Sequence, residues 1–142
     1  MVRRVSPEEA RDLVDKEGYV YVDVRSVPEF EAGHPTGAYN IPIMHMGAMG
    51  MTPNPEFASV VEKTFPKDAR LVLGCKSGGR SLRAAGMLEA AGFTQVVDQR
   101  AGFEGTTDPQ TGQAEPGWRP KGLPTSSESA PDRTYDGLKK RG

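Results

Sequence analysis

The sequence predicts an α/β fold with a mainly parallel sheet, because segments of strand character alternate with segments of helical periodicity. Residues 19–24 and 71–73 are short, largely apolar runs of the kind found in strands buried on both faces of a sheet. Helical spacing is shown by Ala84, Met87, Leu88 and Ala91. A chain of 142 residues is long enough for one domain of this class, with right-handed crossovers.

The first elements are a strand, a helix, a second strand and a short second helix. The first strand ends at Val5, and residues 6–9 (Ser-Pro-Glu-Glu) form a capping box with proline at the first helical position. Gly18 ends that helix before the strand at 19–24. Residues 26–29 (Ser-Val-Pro-Glu) form a second capping box, and Gly33 ends the short helix that it opens.

The middle of the chain continues the alternation. Residues 38–42 have the character of a short strand closed by proline, and a methionine-rich stretch follows at 44–52. Asn54 is predicted to begin a third helix, which ends near Pro66. A strand at residues 70–74 then leads into a glycine-containing loop.

The last part of the predicted domain follows that loop. A fourth helix runs from Ser81 to a terminating glycine at position 92. Residues 94–98 are predicted to form a strand, and residues 101–104 the start of a last helical turn.

The C-terminal part of the chain is polar and rich in glycine and proline. We assign residues 1–122 to the domain and residues 123–142 to a polar, flexible extension. Trp118 is interpreted as packing the start of this extension onto the domain. The basic end at residues 139–141 is too short to indicate nucleic-acid binding.

Composition excludes several classes of function. The net charge of −1, from 18 Lys and Arg against 19 Asp and Glu, argues against a nucleic-acid or membrane partner. The single cysteine excludes a disulfide framework within the chain and any cysteine-rich metal site. No segment has the pattern of a membrane span or signal peptide, so we expect a cytoplasmic protein. We predict neither a metal nor a cofactor.

The single cysteine, Cys75, begins a loop that ends at Arg80. A loop between a parallel strand and the next helix is the usual ligand position in open α/β sheets. The helix start supplies free N–H groups, and Gly78 and Gly79 let the loop curl so that its amides point inward. Lys76 and Arg80 add positive charge. These features favour a reactive thiolate over an inert, buried cysteine.

Three stretches of the sequence resemble the rhodanese (thiosulfate sulfurtransferase) family. They are residues 23–30 (Asp-Val-Arg-Ser-Val-Pro-Glu-Phe), 33–42 (Gly-His through Gly-Ala-Tyr-Asn-Ile-Pro) and 75–81 (Cys-Lys-Ser-Gly-Gly-Arg-Ser). The occurrence of all three stretches in this order is specific to the family, whereas each stretch alone is a weak indicator of it. The resemblance covers most of residues 5–105 and implies a five-stranded, mainly parallel sheet with helices on both faces.

The resemblance also implies a chemistry, in which Cys75 carries a persulfide. The outer sulfur would lie among the backbone N–H groups of the substrate-binding residues Lys76, Ser77, Gly78, Gly79, Arg80 and Ser81. The side chains of Lys76 and Arg80 would attract a small anionic donor such as thiosulfate. A nucleophilic acceptor, either cyanide or a thiol, on a small molecule or on a protein, would then take the sulfur.

Two alternatives to a sulfurtransferase stay open. Cysteine phosphatases place an arginine after five intervening residues, whereas four residues separate Cys75 from Arg80. The smaller ring suits a single sulfur better, so phosphatase or arsenate-reductase chemistry is the weaker alternative. The other alternative is a non-catalytic module that relays sulfur to a partner protein or senses redox conditions.

Several other residues admit both a functional and a structural interpretation. We expect Asp23 and Arg25 to hold loops by hydrogen bonds rather than to bind substrate, and His34 to be packed by its neighbours rather than to act as a base. Soft potential ligands occur together at Met44, His45, Met46, Met49 and Met51. Thioethers can bind Cu(I), but we interpret these methionines as adaptable apolar filler.

Overall fold

In the computed structural model, which describes residues 2–48, 50–128 and 130–140, strands and helices alternate as expected. The strands are β1 (Arg3–Val5), β2 (Val20–Asp23), β3 (His34–Pro35), β4 (Tyr39–Asn40), β5 (Met44–Gly47), β6 (Gly50–Pro53), β7 (Arg70–Gly74), β8 (Gln95–Gln99), β9 (Gly105–Thr107), β10 (Ala114–Pro116) and β11 (Thr125–Ser126). The helices are α1 (Pro7–Lys16), α2 (Val27–Ala32), α3 (Phe57–Thr64), α4 (Gly79–Ala90) and α5 (Tyr135–Lys139).

The centre of the fold is a five-stranded sheet with the order β1-β8-β7-β2-β4. Every pairing within it is parallel, and Val22 of β2 lies opposite Leu73 of the central strand β7. The predicted five-stranded parallel sheet is therefore confirmed. Because the strands are parallel, the loops that follow β2, β4, β7 and β8 all leave the sheet at the same edge.

Helices pack on both faces of the sheet, as predicted. On one face, buried side chains of α3, α4 and α5 contact Val22, Leu71 and Leu73. On the other face, α1 and α2 pack with Tyr21 and Val72. Alternate residues of each strand therefore enter opposite cores, as the two-residue period of a strand requires.

The first two helices begin as the capping boxes predict. Ser6 Oγ accepts the N–H of Glu9 at 3.1 Å, and the carboxylate of Glu9 accepts the N–H of Ser6 at 2.9 Å. At α2, Glu29 Oε1 accepts both the N–H and the hydroxyl of Ser26, at 3.0 and 2.9 Å. The Glu29 carboxylate is therefore held at the start of α2.

Two predictions about helices were wrong. The third helix begins at Phe57, with Glu56 rather than Asn54 as its N-cap residue, and the Asn54 side chain accepts the N–H of Glu56 at 3.0 Å. Residues 101–104 form a turn rather than a helix. The reason is local, because Gly102 has a φ of +70°, in the left-handed region, which a right-handed helix does not contain.

Two antiparallel hairpins lie outside the main sheet, and the sequence analysis assigned neither. The hairpin β5–β6 contains the methionine-rich stretch, with Met46 opposite Met51. Met49 lies outside the described residues. The hairpin β9–β10 follows the turn after β8, and Asp108 stabilises its connection by accepting the N–H of Gln110 at 2.8 Å.

The C-terminal extension is packed against the domain, which corrects the prediction that it is flexible. The short strand β11 pairs with β3, and Tyr135 and Leu138 of α5 are 5% and 0% exposed. Trp118 is buried, and its indole N–H donates to the carbonyl of Pro124 at 2.7 Å, so its predicted packing role is confirmed. The division into residues 1–122 and 123–142 stays a prediction, and Arg141 lies outside the described residues.

Candidate active site

Cys75 is the first residue after the central strand β7, at the edge of the sheet where the loops converge. It is a free cysteine, 2% exposed, and its Sγ accepts the backbone N–H of Gly78 at 3.0 Å. The loop therefore curls back toward its own first side chain. A backbone N–H aimed at sulfur stabilises negative charge there, as does the positive end of the helix that follows.

Gly78 makes this curl possible. Its φ of +98° lies in the left-handed region, immediately before α4 begins. A Cβ at this position would lie 2.1 Å from the carbonyl oxygen of Arg100. Both the conformation and the close backbone approach therefore require glycine.

A second segment supports the loop from outside. The N–H of Phe103 donates to the carbonyl of Cys75 at 2.7 Å, and the N–H of Glu104 donates to the carbonyl of Lys76 at 3.0 Å. Gly102 lies so close that a Cβ there would meet the Lys76 carbonyl oxygen at 2.4 Å. The turn that replaces the predicted helix at 101–104 thus holds the backbone of Cys75 and Lys76 in place.

Arg80, which the sequence analysis placed at the end of the loop, is the second residue of α4 and is paired with Glu29 at the start of α2. The two distances are 2.8 Å from Nη1 to Oε1 and 3.0 Å from Nη2 to Oε2. Burial by itself would raise the pKa of Glu29, but hydrogen bonds from Arg80 and Ser26 outweigh it and lower the pKa to about 2. The ion pair thus joins the loop to the neighbouring helix.

Ser81 anchors the start of α4 to the sheet. It is fully buried, and its hydroxyl contacts the carboxylate of Asp98 in β8, which in turn accepts Arg4 Nε at 2.7 Å. Burial raises the pKa of Asp98, although the hydrogen bonds from Ser81 and Arg4 oppose this rise. The Ser81 side chain therefore connects the helix to the sheet.

The structure brings the predicted site residues together along one loop but gives them different environments. Gly78 is buried against Cys75, whereas Lys76, Ser77 and Gly79 are exposed. The hydrogen bond from Gly78 is consistent with the predicted sulfur cradle. The assignment of the whole set to substrate binding stays a prediction.

A depression of about 280 Å³ lies beside the loop. Its wall includes the side chain of Lys76 and the ring of Phe103, and the remaining lining residues are Arg25, Glu29, Ala32, Gly33, Glu104 and Arg119. The sequence analysis assigned no function to Phe103, Glu104 or Arg119, because no motif marks them. They reach the site through contacts distant in sequence.

Asp23, Arg25 and His34 make the structural contacts that the sequence analysis expected of them. The guanidinium of Arg25 donates to Asp23 with Nη2–Oδ2 at 2.7 Å, and it lies 4.3 Å from the centre of the Phe103 ring. His34 is buried, stacked on Phe30 with ring centres 3.6 Å apart, and its Nδ1 is 2.7 Å from the Phe30 carbonyl. These contacts hold the loops that surround the depression.

Within the described residues, no group of three or more His, Cys, Asp and Glu side chains is placed to hold a metal ion. The methionines are distributed along the hairpin β5–β6, where Met46 and Met51 are 52% and 36% exposed. His45 lies opposite Thr52 and places its ring 5.6 Å from that of Tyr135.

None of the described helices has the length and apolar character needed to cross a membrane.

Comparison with known proteins places this site in context. A family model of the Rhodanese-like domain matches residues 6–108. The chain is 40% identical over 123 residues to thiosulfate sulfurtransferase 16, chloroplastic, of Arabidopsis thaliana, which covers 87% of this chain and 92% of that protein. It is 44% identical over 94 residues to senescence-associated protein DIN1 of Raphanus sativus, which covers 66% of this chain and 51% of that protein.

The structural comparison agrees with the comparison of sequences. The crystal structure of Rv0390 from M. tuberculosis matches with a TM-score of 0.72 and 29% identity, and the match covers 89% of this chain and 98% of that one. The family model ends at residue 108. Arg119 in the wall of the depression and the packed C-terminal segment therefore lie beyond it.

Proposed function

The chain belongs to the rhodanese-like family, and from that premise we propose that it is a sulfurtransferase that carries sulfur as a persulfide on Cys75. The observation that carries the proposal is the N–H of Gly78, 3.0 Å from Cys75 Sγ at the carboxyl edge of the sheet. An amide in that position favours the thiolate and the negatively charged persulfide that replaces it. The relative named as a thiosulfate sulfurtransferase supports thiosulfate as the donor.

The first step transfers sulfur from the donor to the protein. The Cys75 thiolate attacks the sulfane sulfur of thiosulfate, and a new bond forms between Sγ and that sulfur. The sulfur–sulfur bond of thiosulfate breaks, and sulfite leaves with the electron pair. The Lys76 side chain, on the exposed side of the loop, attracts the anionic donor.

The second step transfers the same sulfur to an acceptor. A thiolate or cyanide attacks the outer sulfur of the persulfide, and the bond to Sγ breaks with its electron pair returning to Cys75. No oxidant or reductant is consumed. The backbone N–H groups of the loop stabilise negative charge in both the thiolate and the persulfide, so the site does not need to rearrange between steps.

Intact mass spectrometry tests the proposal directly. Incubation with thiosulfate should add the mass of one sulfur atom to the chain, and cyanide should remove it with formation of thiocyanate. Cys75→Ser is the control, because serine fills nearly the same space and should gain no sulfur. A sulfur adduct on the serine variant, or none on the wild type, would contradict the proposal.

A non-catalytic sulfur relay is the second candidate. The burial of Cys75, with 2% exposure, favours small donors and acceptors over direct attack by a protein thiol. The two functions differ in one measurement, because a relay accepts sulfur from thiosulfate but does not turn over with small acceptors. Loading without turnover would favour the relay.

Phosphatase or arsenate-reductase chemistry receives less support. In the described structure the guanidinium of Arg80 forms a bidentate pair with Glu29, so this arginine is not free to hold an oxyanion. An aryl phosphate and arsenate serve as probes. Turnover of either that depends on Cys75 and exceeds sulfur transfer would reverse the choice.

A cytoplasmic location is also a proposal. A free thiol at the reactive position suits a reducing compartment. The Arabidopsis relative is named as chloroplastic, which makes the location worth measuring. Fractionation of the native cells, with detection of the protein by antibody, should place it with cytoplasmic markers, and recovery in an organelle would contradict the proposal.

A further inference from the structure

We propose that Arg119 is a substrate-binding residue of the acceptor step and that the depression beside the Cys75 loop, at Lys76, selects small thiols bearing an anionic group. The inference rests on the proposed sulfurtransferase function. Arg119 lies beyond residues 6–108, the part that matches the family model, so this binding residue would be particular to chains that share the C-terminal segment.

The depression adjoins the loop and has room for an organic acceptor. Lys76 and Phe103 line it, Lys76 follows Cys75 in the chain, and the N–H of Phe103 donates to the carbonyl of Cys75 at 2.7 Å. Its volume is about 280 Å³. Since one water occupies about 30 Å³ in the liquid, an inorganic anion of five heavy atoms would fill only part of it.

The charged side chains that line the depression differ in whether they form ion pairs. Arg25 is bound to Asp23, and the carboxylate of Glu29 is bound to Arg80. Glu104, the other carboxylate of the wall, is paired with Arg119, and Lys76 helps to lower its pKa from a longer distance. Lys76 forms no direct ion pair among the described residues. Its positive charge beside the exposed guanidinium of Arg119 therefore favours an anion in the depression.

Arg119 is accessible because its ion pair, unlike that of Arg80, is exposed. Its Nε donates to both oxygens of Glu104, at 3.0 and 3.1 Å, and its Nη2 also contacts that carboxylate, whereas Nη1 has no hydrogen-bond partner in the described part of the chain. The Arg119 side chain is 57% exposed. Exposed ion pairs contribute little free energy, so an incoming sulfonate or carboxylate can share the guanidinium at low cost.

The backbone holds Arg119 firmly in this position. Its N–H donates to the carbonyl of Phe103 at 3.0 Å, and the N–H of Trp118 donates to the carbonyl of Gly102 at 2.9 Å. Trp118 is 4% exposed and anchors the segment in the core. A binding group mounted on a fixed backbone loses little conformational freedom when the ligand arrives.

The acceptor reaction then proceeds with the anionic group held away from the sulfur. Arg119 and Lys76 bind the anion, and the thiolate at the other end of the molecule attacks the outer sulfur of the Cys75 persulfide. A sulfur–sulfur bond forms on the acceptor, the bond to Sγ breaks, and its electron pair returns to Cys75. The product is the acceptor persulfide, and no further reactant is needed.

Two acceptors of equal chain length test this inference. The full chain is first loaded with thiosulfate, and kcat/KM is then measured for 2-mercaptoethanesulfonate and for the neutral 2-mercaptoethanol. Arg119→Ala should raise KM for the sulfonate. It should therefore lower the acceptor ratio, defined as kcat/KM for the sulfonate divided by kcat/KM for 2-mercaptoethanol, roughly three- to tenfold. The ratio for the wild type should also fall with salt, because the attraction is screened.

Two matched variants separate binding from a structural effect. Arg11→Ala removes an arginine from a comparable exposed pair, Arg11 with Asp15 on α1, and should leave the ratio unchanged. Glu104→Gln releases Arg119 from its partner and should move the ratio in the opposite direction, toward the sulfonate. Opposite shifts from two substitutions in one ion pair would not follow from loss of folding alone.

The outcomes distinguish this inference from the proposed function. Absence of sulfur loading in the wild type, read by intact mass, would overturn the sulfurtransferase proposal and with it the role of Arg119. Normal loading with the same acceptor ratio in Arg119→Ala and the wild type would overturn the role of Arg119 alone. A lowered ratio in Arg119→Ala together with a raised ratio in Glu104→Gln would support it.

Discussion

Arg80 and Glu29 are joined by two parallel hydrogen bonds, at 2.8 and 3.0 Å, that link the first turn of α4, directly after the Cys75 loop, to the start of α2. The sequence analysis gave Arg80 the same role as Lys76, that of attracting the donor. The pair with Glu29 neutralises most of its charge toward an approaching anion. We therefore infer that Arg80 positions the loop and that Lys76 supplies the attraction.

This inference predicts that charge alone cannot replace Arg80. Arg80→Lys keeps the positive charge but loses the planar fork, so one of the two bonds to Glu29 should be lost. We expect kcat for sulfur transfer from thiosulfate to fall roughly tenfold, with a smaller change in KM. Steady-state kinetics of the purified variant measure this, and full activity of Arg80→Lys would refute the positioning role.

The complementary prediction concerns Lys76. Lys76→Ala removes an exposed charge beside the site, so it should raise KM for thiosulfate a few-fold and leave kcat nearly unchanged. The dependence of kcat/KM on ionic strength should also become weaker than in the wild type. Identical salt dependence in the two proteins would show that the attraction has another source.

The Glu29 carboxylate should make stability depend on pH. Its pKa is lowered from an ordinary value of 4.5 to about 2, so the ionised form stabilises the fold above 4.5. That contribution should be lost progressively as the pH falls from 4.5 to about 2. Urea unfolding of the wild type and Glu29→Gln should show a stability gap at neutral pH that closes over this interval, and a gap that widens instead would contradict the assignment.

Two adjacent glycines in the loop should respond differently to alanine. Gly78→Ala forces a side chain into the left-handed region, at a cost of about 1–2 kcal/mol before its contact with the Arg100 carbonyl is counted. Gly79→Ala meets no atom within 4 Å and begins a helix, so its effect should stay within about 0.5 kcal/mol. Thermal unfolding and sulfur transfer measured on both variants make the comparison, and equal losses would mean that Gly78 is not special.

The packed C-terminal helix should contribute to global stability. Leu138 is 0% exposed in the core beside α3, so Leu138→Ala should lower the free energy of unfolding by about 2–5 kcal/mol. Asp136→Ala, on the exposed side of the same helix, serves as the control and should change it by less than about 0.5 kcal/mol. A loss in Leu138→Ala no greater than that of the control would restore the flexible extension.

The sequence predicted those features that depend on neighbouring residues. The capping box at Ser6, the strand–loop–helix junction at Cys75 and the need for glycine at position 78 all follow from local chemistry, and the structure agrees with each. The parallel orientation of the strands followed from the alternation of strand and helix. The resemblance to a family supplied the number of strands, which the structure confirms, and the persulfide, which is a proposal.

Features that depend on distant contacts were not predictable in the same way. The composition of the tail predicted flexibility because the tail has few apolar side chains. Those it has, such as Leu138, pack on residues that are distant in sequence, and this contact cannot be recognised from the local sequence. The helix expected at 101–104 is absent because Gly102 takes a left-handed φ of +70°. Arg119 carries no motif, and the pairing of its backbone with Phe103 brings it to the depression.

The packed tail has a consequence for how the molecule behaves among its neighbours. The strand β4 is the last of the sheet, and Asn40 in it donates its N–H to the carbonyl of Arg133 at 2.8 Å. An outer strand with unpaired amides is a template for pairing with another chain. The tail occupies part of that edge, so we expect it to guard the protein against aggregation, and a chain shortened before Arg133 would lose this protection together with its buried Tyr135 and Leu138.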